Sequence, residues 1–318
     1  MSSLLNLVSL RSDYREPSQS RVISSTILPP PSSISTNSPT GSLTYSQGLT
    51  KVQCEIYGPT LDPADRQPAV PTDPSSPTAP LTVTLSLPLS PSNPSKHLTY
   101  TLSSSTPPPL TSSVSSHTSS SLLQSYCLSI YRVFSKVVFG VGVRNRVEIR
   151  LKVFNDDGSL LSTLINASTL ALATSAIPLT SLPISTTTAI FSPTVTQKSG
   201  TSTSNNKRSR SGGTVGGKGG MSGKKVTLID LNLEEELSSG VDSYMVVVFD
   251  DDGCLMCKME NRVEVGRFRG MVGEAEGGCR EVRGEVEGIM RDWARGLFER
   301  REGDGRGLQL LKGRVVGK

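Results

Sequence analysis

The segment over residues 155–179, NDDGSLLSTLINASTLALATSAIPL, constrains the possible folds more than any other part of the chain. It opens with an acidic turn that contains Gly158, and residues 159–176 after the turn carry no charged side chain. Pro178 cannot continue a helix and therefore marks its end. Because a helix that is largely apolar around its circumference must be covered by other elements, we predict a buried helix over 159–176.

The rest of the chain is lean in core-forming residues. Of its 318 residues, 35% are hydrophobic and 5% aromatic, so part of the chain is predicted to be unstructured. Ser, Thr and Pro dominate residues 60–120, and a second low-complexity stretch covers 198–225. Such stretches cannot bury enough apolar surface to offset their ordering entropy, so we predict one domain over 1–318 with two disordered inserts. Within the first insert, the alternating LTVTLSL at 81–87 fits a single strand.

Charge and cysteine content narrow the class of protein. The formal charge of +5 is compatible with an RNA partner without demonstrating one. The five cysteines are odd in number and form no disulfide ladder, which favours a reducing compartment. No run approaches the roughly 20 apolar residues of a membrane span, and the N-terminus lacks the basic start of a secretory signal. We therefore expect a soluble intracellular protein without a membrane partner.

Periodicity in the first half of the chain predicts a hairpin followed by two helices. Residues 41–59 alternate between apolar and polar side chains around a turn at Gln47-Gly48, which predicts a β-hairpin that ends at the Tyr-Gly-Pro of 57–59. From residue 122 onward, apolar residues recur at helical spacing, and 147–153 alternate again. Residues 122–176 are therefore predicted to form a helix, a strand and a helix.

The second half of the chain adds a second hairpin and a long helix. Residues 226–231 fit a short strand, and 244–249 and 254–259 form a predicted hairpin around an Asp-Asp-Asp-Gly turn. Apolar residues between 282 and 298 lie on one helical face, although three glycines weaken this helix in isolation. Antiparallel hairpins with a few amphipathic helices indicate an α+β fold.

The sequence gives little support for catalysis by histidine, or for zinc binding or redox activity by cysteine. His97 and His117 both lie in the first predicted insert, and a disordered loop does not hold a catalytic base rigidly. Cys254 and Cys257 have the CxxC spacing, but no second cysteine or histidine pair is present to complete a zinc site. They follow a turn in a predicted strand and do not open a helix, so a structural role is favoured over a redox role.

The acidic turn at residues 156–159 is the sharpest local feature. Free backbone N–H groups at the start of a helix bind anions, and an enzyme that held phosphate there would place a cation beside them. The next residues are instead Leu160 and Leu161. We therefore predict a cap and packing contact at this helix start and no phosphate site.

A second candidate pair is formed by Glu236 and Asp242, which flank a loop before the strand at 244–249. Two carboxylates near a phosphate site can hold a metal or act as a general acid. Taken alone, Glu236 belongs to an ordinary acidic surface run, and we favour that interpretation. The basic KRSR at 207–210 is equally consistent with a nuclear-import or RNA-contacting patch and with a solvated linker.

These pieces fall in the order of the RNase PH family of phosphorolytic nucleases. The 155–179 segment resembles that family's turn, long helix and exit. The 11–15 RSDYR resembles its opening RxDGR motif with Tyr14 in place of Gly, and SQGLT at 46–50 followed by the 57–59 Tyr-Gly-Pro resembles its hairpin. Further matches are Asp230-Leu231, Glu236 with Asp242, and the helix at 281–300. The resemblance implies a mixed sheet with packed helices, of the ribosomal protein S5 domain 2-like type.

The same resemblance implies that catalysis is lost. In active members the residues at positions 158–160 read Gly, Ser or Thr, and Arg, and that Arg binds the attacking phosphate. Here Gly158 and Ser159 remain, but Leu160 replaces the Arg. The catalytic aspartate pair survives only as Glu236 and Asp242, and phosphorolysis needs a bound and charge-matched phosphate. We therefore expect no activity, no cofactor and no metal.

Three hypotheses follow for function. The first is a structural, inactive subunit of the eukaryotic RNA exosome ring, whose partners are other RNase PH-like subunits, cap subunits and RNA, in the nucleus, nucleolus and cytoplasm. Lys51, Arg144 and Arg146 are its candidates for contacts to RNA phosphates, although solvated surface charge is the favoured interpretation of each. The second is an active phosphate-dependent 3′-to-5′ exoribonuclease that uses Glu236 and Asp242. The third is a free RNA-binding protein that acts through its basic insert.

Overall fold

The computed structural model describes the chain over residues 11–28, 38–61, 81–88, 97–103, 117–139, 145–191 and 225–303. A six-stranded sheet holds most of the first half of these residues. Its strands are β1 (Ile23–Leu28), β2 (Gly41–Gln47), β3 (Thr50–Leu61), β4 (Leu81–Pro88), β5 (His97–Ser103) and β6 (Asn145–Asn155). Their spatial order is β1-β2-β3-β6-β4-β5. Neighbours are antiparallel except β4 and β6, which run parallel, so the sheet is mixed.

A four-stranded antiparallel sheet forms the second β-layer. It consists of β7 (Ile184–Phe191), β8 (Val226–Ile229), β9 (Val241–Phe249) and β10 (Cys254–Glu260), in the order β10-β9-β7-β8. Four helices complete the described fold. They are α1 (His117–Val137), α2 (Leu160–Thr174), the single turn α3 (Leu233–Glu236) and α4 (Val265–Gly303).

Helix α2 is the centre of the molecule. It packs on β2 and β3 of the six-stranded sheet and on β7 and β9 of the four-stranded sheet, so apolar surface is covered on both sides. Thirteen consecutive residues from Leu160 to Leu172 are buried, as the absence of charge in this segment predicts. Helix α1 lies on β4 and β5, and α4 covers the opposite face of the four-stranded sheet. The layers are therefore sheet, helices, sheet and helix.

Strand alternation explains how the six-stranded sheet presents its core face. In β3, Val52, Cys54 and Ile56 are fully buried, while Gln53 and Glu55 between them are only half-buried on the opposite face. The hairpin predicted over 41–59 is confirmed, with Gln47 paired to Thr50 across the turn. Its second strand runs further than the Tyr-Gly-Pro at which we expected it to end, because an irregularity between Tyr57 and Thr60 lets the pairing with β6 continue to Leu61.

The expectation of a disordered insert over 60–120 is wrong in part. Strand β4, which alternation predicted, pairs with β5, which it did not. Side chains of this hairpin enter the core, and the buried apolar ones are Leu81, Val83, Leu85 and Leu102. The outer positions carry Ser and Thr, which pair across the strands, as Thr84 and Thr101 do at 3.1 Å. Because those hydroxyls occupy half of each strand, the sequence has the composition of a low-complexity stretch although it forms a sheet.

Two further corrections follow. One concerns the two histidines of this insert, and the other concerns elements that we did not predict. His97 begins β5 and His117 begins α1, so neither lies in a disordered loop. Strands β1 and β7 and the short α3 were not predicted. The second predicted insert, 198–225, lies outside the described residues apart from Lys225, and the basic KRSR lies outside them entirely. No helix in the described ranges is long and apolar enough to cross a membrane.

Candidate functional site

The candidate site is the turn between β6 and α2, where a glycine allows two chain segments to touch. Gly158 has a φ of 87°, in the left-handed region. A Cβ at this position would lie 2.5 Å from the carbonyl carbon of Asn232 and 2.6 Å from the nitrogen of Leu233. Only glycine therefore lets the turn approach the start of α3 this closely. The contact is closed by Leu233, whose N–H donates to the carbonyl of Asp157 at 3.0 Å.

The first free amide of α2 is occupied by a carboxylate of the chain itself. Ser159 is the N-cap residue, and its φ of 50° is left-handed. Its backbone N–H donates to Oε1 of Glu236 at 2.6 Å, and its hydroxyl donates to the carbonyl of Leu231 at 2.9 Å. A helix start is a natural anion site because its N–H groups are unpaired and its dipole favours negative charge. Here Glu236 supplies that anion from within the fold.

Leu160 and Leu161 point into the core rather than toward this helix start. Their side chains are 4% and 1% exposed, and both belong to the main hydrophobic cluster. Position 160, where the resemblance implies a phosphate-binding Arg in active enzymes, is thus an apolar packing position in this fold. The packing contact predicted from the sequence agrees with this geometry. The Ser159 side chain, however, makes no cap hydrogen bond to the helix and donates to Leu231 instead.

A cation does stand beside the turn, but it comes from a distant part of the chain. Arg21 donates through Nη1 to the carbonyl of Asp157 at 2.8 Å and through Nη2 to the carbonyl of Gly158 at 3.0 Å. The same guanidinium contacts Asp230 through Nε and Nη2 at 3.1 and 2.9 Å. Burial raises the pKa of Asp230, but the charge and hydrogen bonds of Arg21 outweigh it and hold that pKa below its ordinary value. Arg21 is therefore committed to carbonyls and to a buried carboxylate.

A second buried pair fixes the short helix α3. Arg11 makes a two-pronged contact with Glu235, through Nε at 2.9 Å and Nη2 at 3.0 Å, and also donates to the carbonyl of Asp230 at 3.0 Å. Glu235 completes a capping box with Asn232, in which each side chain accepts from the other residue's backbone N–H. The 11–15 motif thus anchors the loop that brings Glu236 to Ser159, since its Arg15 donates to the carbonyl of Asp230 as well.

Glu236 lies in an unfavourable environment for a charged carboxylate. Burial is the main cause that raises its pKa, to about 7, and the neighbouring charge of Asp156 raises it further. The hydrogen bond from the Ser159 amide opposes that rise without cancelling it. A carboxyl with this pKa gains or loses its proton near neutral pH. The occupancy of the helix start by a negative charge is therefore sensitive to pH.

Asp242, the second member of the candidate pair, has a different partner. The register of β7 and β9 passes from Ile190–Ser243 to Phe191–Val241, so Asp242 is the extra residue of a β-bulge. Its carboxylate forms an ion pair with Lys225, while Glu236 accepts from Ser159. Within the described ranges, no group of three or more His, Cys, Asp or Glu side chains is arranged to hold a metal ion.

Of the three cations proposed to touch RNA, the two that the structure describes, Lys51 and Arg146, lie at opposite ends of the β3–β6 strand pair. Lys51 is exposed at the start of β3, opposite Asn155. Arg146 lies on β6 and donates through Nε to the hydroxyl of Thr82 at 2.8 Å. Arg144 lies outside the described residues. The assignment of these residues to RNA contact therefore remains a prediction.

All five cysteines are free thiols, and only those of the CxxC motif are exposed. Cys254 and Cys257 lie on β10, at the edge of the four-stranded sheet. Burial raises the pKa of both thiols, which keeps them in the unreactive protonated form at neutral pH. Their position on a strand agrees with the structural role that the sequence favours.

Comparison with known proteins agrees with the fold and the helix start. Residues 31–178 match the model of the 3′ exoribonuclease family, domain 1. The β6–turn–α2 unit described above lies within the matched residues. The family match over 31–178 and the layered fold support an RNase PH-like domain, in agreement with the resemblance inferred from the motifs.

A particular solved structure shares this fold. The crystal structure of Rrp46 from rice (Oryza sativa) aligns with a TM-score of 0.58 over 88% of this chain and 100% of that chain. Sequence identity over the alignment is 17%, so the similarity concerns the fold. No curated protein sequence matches the chain significantly.

Proposed function

We propose that the chain is a structural, catalytically inactive subunit of the RNA exosome core ring. The family match over 31–178 and the fold shared with rice Rrp46 support an RNase PH-like ring component. In such a ring the chain contributes surfaces for neighbouring RNase PH-like and cap subunits, and an associated nuclease degrades the RNA. The proposed processes are 3′-to-5′ RNA processing and decay, including that of ribosomal and messenger RNA.

The observation that carries the proposal is the filled start of α2. A phosphorolytic enzyme must bind phosphate as the nucleophile and balance its charge. Here the Ser159 amide already binds the carboxylate of Glu236, and the side chain of Leu160 is buried. A phosphate at this amide would have to displace a carboxylate of its own sign. Arg21 does not offset this, because its guanidinium is engaged by Asp230 and by backbone carbonyls.

A direct assay separates the inactive from the active alternative. The purified full chain is incubated with a uniformly labelled single-stranded RNA and inorganic phosphate, and release of labelled nucleoside diphosphates is measured, with an active RNase PH enzyme as the positive control. We expect no release above background. Phosphate-dependent release that is abolished by Asp242→Ala would overturn the proposal in favour of an exoribonuclease that uses Glu236 and Asp242.

Membership of the ring needs its own test. The tagged full chain is purified from its native cells, and the co-purifying proteins are identified by mass spectrometry. We expect stoichiometric recovery of other RNase PH-like subunits. A stable chain that purifies alone under mild salt contradicts the ring assignment. In that case, loss of RNA binding on deletion of 198–225 would support the free RNA-binding alternative.

We also propose that the chain resides in the nucleus, nucleolus and cytoplasm, as a subunit that serves both ribosomal and messenger RNA processing. The reducing environment of these compartments suits its five free cysteines. Fluorescence imaging of a tagged copy expressed from its own promoter tests this directly. Exclusive localisation to a membrane-bound organelle outside the nucleus would contradict it.

A further inference from the structure

We propose that the surface around the start of α2 and α3 binds a lysine- or arginine-bearing segment of a partner protein and repels RNA. This acidic apolar face consists of the carboxylates Asp156, Asp157 and Glu234 and the side chains Tyr14, Leu233 and Leu237. The proposal goes beyond the ring assignment, because it names the chemistry of an occupant at a surface whose geometry is independent of which subunits assemble around the chain.

The apolar part of the face is unusually accessible. Tyr14 and Leu237 are each 77% exposed, and Leu233 is 37% exposed. The backbone of these three residues runs close to the same turn. Leu233 donates its N–H to Asp157, the N–H of Leu237 donates to the carbonyl of Leu233, and Tyr14 precedes Arg15, which reaches Asp230. Exposed leucine and aromatic side chains grouped around one polar turn are typical of a protein-binding surface.

The charge of the face is negative. Asp156 and Glu234 are exposed, and Asp157 is half-buried. The carboxylates also lie near one another. Burial is the main cause that raises the pKa of Asp157, and the charge of Arg21 opposes that rise. The charges of Asp13 and Glu234 raise the pKa further. The charge of Asp157 likewise contributes to the raised pKa of Asp156.

The cations nearby do not reverse this sign. Arg11 and Arg21 are buried and paired with Glu235 and Asp230. Arg15 is paired with the carboxylate of Asp13. Lys51 is exposed beside the turn, where it faces Asn155 in the strand register. Among the described residues, the Lys51 ammonium alone does not balance the carboxylates of the face.

This arrangement selects its occupant by charge. An RNA strand brings one negative charge per phosphate and would meet carboxylates at the place where the resembled enzymes bind phosphate. A protein segment with Lys or Arg side chains is attracted instead, and its apolar side chains can cover Tyr14, Leu233 and Leu237. Because the carboxylates are solvent-accessible, the attraction weakens as salt is added.

The test uses the full chain and a defined probe. A fluorescein-labelled 12-residue peptide that alternates Lys or Arg with Leu or Phe is titrated with the protein, and binding is followed by fluorescence anisotropy. A peptide with Glu in place of each basic residue and a 12-nucleotide oligouridine, both unlabelled, are added as competitors of the bound basic peptide. We expect the basic peptide to bind and to weaken about fivefold or more as salt rises from low to about 0.5 M, while the acidic peptide and the RNA do not compete.

A matched pair of double variants locates the binding. Leu237→Ser with Glu234→Gln removes one apolar and one acidic side chain from the face. Val265→Ser with Glu264→Gln removes an equally exposed pair at the start of α4. We expect the first variant to weaken the basic peptide about fivefold or more and the second to leave binding unchanged. Circular dichroism confirms that both variants remain folded.

Three results would overturn the inference. They are no binding of the basic peptide at concentrations up to about 100 µM, equal weakening by the two double variants, and displacement of the peptide by oligouridine. Displacement by RNA would assign the face to nucleic acid instead. None of these results bears on co-purification with ring subunits, so failure here and failure of the ring assignment are distinguishable.

Discussion

Arg21 donates from Nε and Nη2 to the same carboxylate oxygen of Asp230, at 3.1 and 2.9 Å, although the two residues lie 209 positions apart. Both side chains are buried, and the backbone N–H of Arg21 donates to the other oxygen at 2.7 Å. The pair therefore ties the N-terminal segment to the loop after β8. Because that loop leads into α3, the pair also positions Glu236 against the start of α2.

Breaking this pair should be costly. Arg21→Met leaves the buried Asp230 with only the more distant Arg15, at 4.0 Å, as counter-charge and frees two carbonyls of the turn. We therefore expect the free energy of unfolding to fall by about 3–5 kcal/mol. Urea denaturation followed by circular dichroism measures it. The control is Arg280→Met, which breaks the exposed pair with Glu276 and should change stability by no more than about 0.5 kcal/mol. A loss below about 1 kcal/mol for Arg21→Met would contradict a structural role for the pair.

Placing at position 160 the arginine that the resemblance implies for active enzymes should not create a phosphate site. Leu160→Arg places a cation in the hydrophobic cluster, so we expect a loss of about 3 kcal/mol or more and no phosphate-dependent release of nucleoside diphosphates. The same change at Leu122, which is 41% exposed on α1, should cost no more than about 0.5 kcal/mol. Near-native stability of Leu160→Arg together with phosphorolysis would show that the helix start is open to phosphate.

The fold was largely predictable where periodicity was strong. The uncharged 159–176 segment predicted the central helix because burial on all sides leaves no position for charge. Alternation of apolar and polar residues predicted the β2–β3 hairpin and the β9–β10 hairpin, because successive side chains of a strand point to opposite faces of the sheet. Strand β5 was missed because only Leu102 of its side chains is fully buried, so the alternation it carries is weak.

The candidate site was predictable only in part. Motif order located Gly158, Ser159, Leu160 and Glu236, which lie together in the structure. The contact of Arg21 with Asp230 could not be predicted, because neither residue lies in a sequence pattern from which the other residue can be identified. Nor did the sequence indicate that Glu236 reaches the Ser159 amide, because the four-residue helix α3 is too short to show a period. Contacts over long chain separations are set by the assembled layers and not by local pattern.

The raised pKa of Glu236 predicts a specific pH dependence. Its pKa is about 7 in the folded chain against an ordinary value of 4.5, so the folded state binds more protons between these values. Stability should therefore fall as pH rises from about 4.5 to about 7. Glu236→Gln keeps an acceptor for Ser159 without the charge, so it should remove this decline and be more stable than the native chain by about 1–2 kcal/mol at pH 8. Urea denaturation at several pH values checks it, and an unchanged pH profile in the variant would contradict the assignment.

The close approach of Gly158 to the start of α3 should make its substitution unusually damaging. Gly158→Ala puts a Cβ 2.5 Å from backbone of Asn232, whereas Gly253→Ala meets nothing within 4 Å. Both glycines have positive φ, so backbone strain is common to the two variants. The difference between their stabilities therefore measures the cost of the steric clash at position 158. We expect Gly158→Ala to be the less stable by about 2 kcal/mol or more in thermal or urea denaturation. Equal losses would mean that α3 moves away at little cost.

Two glycines of α4 are expected to respond to alanine substitution in opposite directions, one with a gain and one with a loss of stability. Gly273 has open space around it, so Gly273→Ala should raise stability by about 0.5–1 kcal/mol through helix propensity alone. At Gly278 a Cβ would lie 3.0 Å from Cγ2 of Ile229 and 3.3 Å from the hydroxyl of Thr186. There the crowding against β7 and β8 should outweigh the same propensity gain, and Gly278→Ala should lower stability by about 1 kcal/mol. Urea denaturation of the two variants measures both signs. If Gly278→Ala were as stabilising as Gly273→Ala, α4 would not be held as closely to the sheet as the distances indicate.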